Sequence, residues 1–171
     1  MKKKLILYAT VDWHAKKIAY FSKEKLSWDI DIFNVDDFFW DFEKYEKILI
    51  ISSIRYWKFH KNIRKFIDKN YQILNSKKTW FISINLVARK PEKNTFKTNV
   101  YTKKFFKKTK FKPNIIWVFW WVLDYSKYWF FDKIMIKFIM KLTKWPTETK
   151  EPIDYTDYKK LKNFCYDFEE L

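Results

Sequence analysis

The sequence predicts an α/β fold, a doubly wound parallel sheet with helices on both faces. Three observations carry that prediction. Apolar runs of strand length recur along the chain, they are near-continuous rather than alternating, and stretches with helical apolar spacing separate them. A strand covered on both faces has no solvent side, so its apolar residues need not alternate. The 171 residues suit one domain spanning 1–171 and can bury a sizeable core.

The first run, Leu5–Ala9, reads as a central strand that ends in a short polar loop. Ala15, Ile18, Ala19 and Ser22 then fall at helical spacing. "WDIDIFNV" at 28–35 alternates polar and apolar and suits an edge strand. Ile48–Ile54 is a third strand, followed by a helix with Phe59, Ile63, Phe66, Ile67 and Asn70 on one face. Trp80–Leu86 is the fourth, and Tyr101, Phe105 and Lys108 mark the helix after it. Ile115–Leu123 is the fifth. A last helix turns Tyr158, Leu161, Phe164, Cys165 and Phe168 inward, with Thr156 placed as its N-cap. Five strands with an early edge strand fit the flavodoxin-like order 2-1-3-4-5. In such a sheet ligands sit beyond the carboxyl ends of the strands, which singles out loops 10–15, 53–60, 86–97 and 124–128.

Composition narrows the chemistry. The formal charge of +16 calls for an anionic partner: a membrane leaflet, nucleic acid or a phosphorylated small molecule. No helix-turn-helix or RNA-stacking signature accompanies it, so no specific nucleic acid is expected. Lysine outnumbers arginine 33 to 3, and only four alanines occur, a skew toward AT-rich codons. Charge acquired that way is weaker testimony to a partner than charge placed on one face. Cys165 is the only cysteine, and His14 and His60 lack ligand spacing, which excludes a disulfide framework, a thiolate metal site and a histidine zinc site. The N-terminal apolar stretch is too short for a signal peptide, and the longest apolar run, "IIWVFWWVL" at 115–123, is too short to span a bilayer. The segment "YWFFDKIMIKFIMKLTKW" at 128–145 places Lys133, Lys137, Lys141 and Lys144 in a row opposite Phe131, Ile134, Met135, Phe138, Ile139 and Leu142. Such a helix can lie in a membrane interface or simply cover the sheet, and both readings stay open.

Longer strings add a resemblance. "SIRYWKFHKNIRKFI" at 53–67, "SINLVARKPEKNTFKTNVYTKKF" at 83–105, "FFDKIMIKFIMKLTKW" at 130–145 and "DYTDYKKLKNFC" at 154–165 resemble the menaquinone-dependent protoporphyrinogen IX dehydrogenase family. The similarity is colinear from Lys4 to about residue 168. It implies a flavodoxin-like fold holding FMN, and an enzyme of heme biosynthesis that oxidises protoporphyrinogen IX to protoporphyrin IX. It also implies that electrons pass to a membrane quinone, menaquinone or ubiquinone, from a peripheral position on the cytoplasmic face of the bacterial inner membrane.

The resemblance also implies site residues. The FMN phosphate loop corresponds to Thr10, Val11, Asp12, Trp13, His14 and Ala15; Thr10 and Asp12 match the family's pattern, whereas its serine, glycine and second threonine are missing. Ser53, Ile54, Arg55 and Tyr56 would flank one side of the flavin ring. Asn85, Leu86, Val87, Ala88 and Arg89, matching without substitution, would flank the other. Leu123, Asp124 and Tyr125 complete the set, with an acidic residue where the family has a basic one. Arg55, Arg89 and Lys90 are candidates for the propionates of the substrate, since arginine pairs well with carboxylates. Lys133, Lys137, Lys141 and Lys144 would face an anionic membrane surface. No metal is implied, and no residue is singled out as a general base. A contrasting expectation is a non-catalytic, basic flavodoxin-like protein with a degraded FMN loop that binds the membrane surface.

The chain contains no glycine and ten tryptophans. Trp13, Trp28, Trp57, Trp121 and Trp145 stand where the resemblance expects glycine. Tryptophan is the poorest replacement where the backbone needs positive φ. Two accounts stay open: UGA codons read under the wrong assignment, since UGA is reassigned in some AT-rich lineages, or genuine removal of glycine.

Overall fold

Strand β1 (Lys3–Ala9) lies at the centre of a parallel sheet between β2 (Ile30–Asn34) and β3 (Tyr45–Arg55), with β5 (Lys78–Ile84) and β6 (Ile115–Phe119) continuing beyond β3. The structure, a computed structural model, describes residues 3–10, 13–26, 29–39, 41–55, 57–120, 134 and 156–170. The parallel order β2-β1-β3-β5-β6 is the expected 2-1-3-4-5. A sixth strand, β4 (Lys58–Phe59), explains the shifted numbering: it folds back antiparallel on the end of β3, pairing Arg55 with Lys58 and Ile54 with Phe59. The direction of the sheet reverses between β1 and β3, which places a crevice at their carboxyl ends.

Helices α1 (His14–Lys25), α2 (Lys61–Ser76), α3 (Val100–Lys108) and α4 (Tyr158–Glu170) cover the sheet. Alternation along the central strands divides the core in two. Leu5, Leu7, Ile48, Ile50 and Phe81 join Ile63, Phe66, Ile67 and Leu74 of α2 and Phe106 of α3 in one cluster. Ile6, Leu49, Ile51, Trp80 and Ile82 are buried outside that cluster, as are Ala15, Ile18 and Ala19 of α1 and Leu161, Phe164 and Phe168 of α4. Trp80 meets Phe168 edge-on at 4.7 Å, which fixes α4 against this second face. Each large side chain so buried stabilises the fold by about 1.5–3 kcal/mol.

Several expected boundaries move, each for a local reason. The fourth strand ends at Ile84 rather than Leu86, because the Asn85 side chain accepts the Ala88 N–H at 3.1 Å and turns the chain into a 3₁₀ segment, Leu86–Arg89. Phe59 belongs to β4 and not to α2, although it is buried as expected. In α3 the fully buried positions are Thr102 and Phe106, with Tyr101 and Phe105 packed at the edge of the core. The cap of α4 is Asp157 rather than Thr156: its carboxylate accepts the Lys160 N–H at 2.8 Å and its carbonyl accepts the Leu161 N–H at 2.9 Å. Tyr158 stays exposed.

Two lysines lie beneath the end of α4. Lys47 donates from Nζ to the carbonyls of Phe168 and Glu169 at 3.1 and 3.0 Å, satisfying last-turn oxygens that no helical N–H can reach. Lys4 is fully buried, 5.4 Å above the Phe168 ring. Burial, and then the neighbouring Lys47 charge, pull its pKa down to about 8.

The chain divides by contacts into two units, Met1–Trp120 with Asp157–Leu171, and Trp121–Thr156. Of the second, only the helical, half-exposed Ile134 and Thr156 are among the described residues. The expected lysine-striped helix at 128–145 and loop 124–128 fall outside them.

Candidate functional site

The carboxyl edge of β1 supplies the first part of the crevice. Thr10 follows the strand, and its Oγ1 is buried with no hydrogen-bond partner among the described residues. Trp13 occupies the N-cap of α1 with φ 23° and ψ −11° and gives no side-chain cap. An indole carries only a donor, so it cannot accept an N–H group of the first turn. The helix N-terminus brings the N–H groups of its first turn and the positive end of its dipole to this edge, an anion site in outline. An orphaned hydroxyl beside it fits a phosphate. The Trp13 backbone is the part that departs from a phosphate loop, since its positive φ is one that glycine adopts freely and a Cβ-bearing residue rarely does. His14 is buried as the first residue of α1, its ring 4.7 Å from that of Trp13, and Ala15 is buried against the sheet. Val11 and Asp12 lie outside the described residues.

The end of β3 supplies the second part. Ser53 pairs in register with Ile84 of β5, so the loops after these two strands leave the same edge side by side. Arg55 and Lys58 close a two-residue turn occupied by residue 56 and Trp57, and Trp57 has φ 63°. Such tight hairpin turns demand positive φ and select glycine or asparagine. Tyr56 is outside the described residues. His60 caps α2, its Nδ1 accepting the Asn62 N–H at 3.4 Å.

The third part is the loop after β5. The side chain of Asn85, a residue expected at the flavin, is buried and hydrogen-bonded within the protein. Its Oδ1 accepts from Ala88 N at 3.1 Å and from Asn99 Nδ2 at 3.0 Å, and its Nδ2 donates to Ser83 Oγ at 3.2 Å. Asn99 in turn donates to the Lys93 carbonyl at 3.0 Å and accepts from Thr102 N and Thr102 Oγ1 at 3.1 and 2.9 Å. Thr102 and Ser83 hydroxyls meet at 2.9 Å. This closed network ties the 85–99 loop to α3 and to β5. What the loop offers a ligand is then its partly exposed surface at Leu86, Val87, Arg89 and Lys90. Burial pulls the Arg89 guanidinium below its usual pKa range, though arginine stays charged. Ser83, Asn99 and Thr102 were not anticipated from sequence. An asparagine three residues before a threonine at the start of an amphipathic run is the N-cap signal that could have found two of them.

A groove of about 450 Å³ runs between α2 and α3, beginning at Trp57 and Lys58. Phe59, Tyr101 and Phe105 line its apolar wall, and Lys58, Lys61, Arg64, Lys104 and Lys108 surround it against a single carboxylate, Asp68. Arg64 and Asp68 form an ion pair at 3.8 Å along α2. The groove thus joins an aromatic wall to excess positive charge. Leu123, Asp124, Tyr125, Lys133, Lys137, Lys141 and Lys144 lie outside the described residues. Among the described residues no cluster could hold a metal ion and no helix is long and apolar enough to cross a membrane.

Comparison with known proteins agrees with this geometry. A family model described as "Flavodoxin domain" matches residues 5–150. Over 175 residues, covering 99% of this chain and 96% of the relative, the sequence is 37% identical to protoporphyrinogen IX dehydrogenase [quinone] of Escherichia coli strain K12. Among solved structures, oxidised flavodoxin 2 from Bacillus cereus superposes with a TM-score of 0.56 at 16% identity, covering 98% of each chain. A flavoprotein in complex with FMN from Lactobacillus acidophilus gives 0.51 at 15% identity, covering 69% of this chain and 93% of that one.

Proposed function

This chain belongs to the protoporphyrinogen IX dehydrogenase family on a flavodoxin domain, and from that premise we propose that it oxidises protoporphyrinogen IX to protoporphyrin IX, with FMN as cofactor and a quinone as electron acceptor. The single observation that carries the reading is identity spread over nearly the whole of both chains. That same extent disfavours the non-catalytic alternative, which rested on the altered first loop and on Asp124.

FMN, when bound, supplies the redox chemistry, accepting reducing equivalents from the porphyrinogen and delivering them to the quinone. The chain's own residues bind and orient. The α1 N-terminus and Thr10 Oγ1 would hold the phosphate. The loops at 53–57 and 86–90 would flank the flavin ring, the second tied to the protein by the Asn85–Asn99–Thr102 network. Arg55, Arg89 and Lys90, at the carboxyl edge, would meet the substrate's propionates. The basic groove between α2 and α3 opens at the same turn, and its aromatic wall and cations match an apolar macrocycle that carries carboxylates.

The lysine row at 133–144 and the charge of +16 support attachment to an anionic membrane surface on the cytoplasmic side, where a lipid-dissolved quinone is accessible. Flotation with anionic and neutral vesicles at low and high salt tests it: binding to both lipids alike, or to neither, contradicts electrostatic attachment. For the activity, the protein is given saturating FMN, porphyrinogen and a soluble quinone without oxygen, and porphyrin fluorescence is followed. Formation no faster than with FMN and quinone alone refutes the proposal.

A further inference from the structure

We propose that positions 13 and 57 are glycine in the protein made by its own host, the tryptophans recording UGA codons that the host reads as glycine. The argument starts from the backbone. Among the described residues, those with positive φ are Trp13, at 23°, and Trp57, at 63°. Positive φ is uncommon for any residue with a Cβ and a true outlier for a bulky one, whereas glycine adopts it freely. Both outliers are the same residue type, and both sit at the carboxyl edge of the sheet where the ligand crevice lies.

Neither side chain explains why its position tolerates the conformation. Trp57 is 60% exposed at the tip of a two-residue hairpin turn whose geometry selects glycine. Trp13 rests on His14 and lies within 5.5 Å of the Lys17 ammonium, yet it cannot cap the helix it begins. By contrast Trp80 and Trp117 lie in extended strands and pack on aromatic neighbours, Phe168 at 4.7 Å and Phe119 at 5.8 Å. The backbone marks two tryptophans as misplaced and leaves the strand tryptophans unmarked.

Composition supplies an independent line. A chain of this length ordinarily carries roughly a dozen glycines, and this one has none, against ten tryptophans. Loss of every glycine from a fold with tight turns is not a plausible result of drift, because the positions that need positive φ resist replacement. A reassigned UGA codon accounts for tryptophan at these turn positions and for the two φ values together, and AT-rich coding thins the GGN codons that would supply the remaining glycines. The lysine-over-arginine skew shows the AT-rich coding in which such a reassignment arises. Trp28, Trp121 and Trp145 belong to the same set by resemblance. The consequence rests on the FMN reading: with glycine at 13, the backbone can turn tightly and approach a phosphate closely.

The direct test is mass spectrometry of protein isolated from the host and cut after lysine. The peptides 5–16 and 48–58 are expected to carry glycine at 13 and 57, and tryptophan at either position overturns the proposal. A second experiment works on protein produced recombinantly with this sequence. The double substitution Trp13→Gly, Trp57→Gly is expected to raise the melting temperature without any ligand, and Trp13→Ala, Trp57→Ala to raise it less, since alanine keeps the Cβ. Equal or lower melting temperature for the glycine pair refutes the backbone argument. FMN titration then separates the two readings. The glycine pair is expected to bind at least 100-fold more tightly than the tryptophan protein. No binding by either, with glycine found in the native peptides, overturns the FMN reading while leaving the glycine assignment intact.

Discussion

Replacing Asn99 by alanine removes the centre of the network that shapes the loop after β5. The amide is fully buried and takes part in four hydrogen bonds, to Asn85 Oδ1, the Lys93 carbonyl, Thr102 N and Thr102 Oγ1, all between 2.9 and 3.1 Å. Asn85 Oδ1 keeps the Ala88 N–H and Thr102 Oγ1 keeps Ser83, so those groups remain partly satisfied. The Thr102 N–H loses its cap, at about 1 kcal/mol. The Lys93 carbonyl and the weakened Asn85 and Thr102 oxygens add roughly 1 kcal/mol each or somewhat less. The expected loss is about 3–4 kcal/mol, a large share of the ~5–15 kcal/mol that holds a domain of this size. Urea denaturation followed by tryptophan fluorescence reads it directly through the midpoint at constant slope. Asn99→Ser keeps an oxygen for the Thr102 N–H and should recover about 1 kcal/mol of the loss. A loss under about 1 kcal/mol for alanine, or identical values for serine and alanine, would show that the network does not hold the loop as reasoned.

Lys4 is charged in both folded and unfolded chains below pH 8, so its burial costs a constant amount there. Between its folded pKa of about 8 and the ordinary 10.5, the unfolded chain holds a proton the folded one has released, and stability rises with pH by at most about 3 kcal/mol. Lys4→Met should stabilise the protein at pH 7 and flatten that rise; an unchanged slope in pH-dependent denaturation counts against the assignment. Burial pushes the Cys165 thiol up to about 11, which leaves about one thiolate in a thousand at pH 8. An aromatic disulfide should therefore modify the folded protein only slowly and the urea-unfolded protein at once, and fast modification of the folded form would contradict the burial. Lys160 donates to the Asn94 and Val118 carbonyls at 2.9 Å each, clamping α4 to β6 and the neighbouring loop. Lys160→Met should cost about 2 kcal/mol, measurable as a lower urea midpoint, while Lys159→Met on the exposed side should cost nothing. Lys104→Glu in the basic groove should raise KM for a carboxylated porphyrinogen several-fold with kcat little changed, whereas an unchanged KM removes the groove from the substrate's path.

The sequence alone determined the sheet order. Near-continuous apolar runs suit strands covered on both faces, and their alternation with amphipathic stretches suits parallel crossovers; the order β2-β1-β3-β5-β6 agrees with the flavodoxin-like arrangement fitted to that pattern, while the short β4 went unread. It determined the inner faces of α2 and α4 for the same reason, since Ile63, Phe66 and Ile67, and Leu161, Phe164 and Phe168, repeat at the helical period. The strings around 53–67 and 83–105 carried the family, because long unusual segments are specific where a single loop is not. Tertiary structure decided what each polar residue spends its hydrogen bonds on. Asn85 reads the same in sequence whether it faces a ligand or a loop, and only the approach of Asn99, Ser83 and the Ala88 N–H across the fold commits it to the protein. Lys4 and Lys47 look like surface lysines until α4, arriving from the far end of the chain, covers them. The backbone angles at Trp13 and Trp57 are likewise set by where β1, α1, β3 and β4 must run, and the identity of a side chain cannot reveal a φ that the surrounding sheet imposes on it.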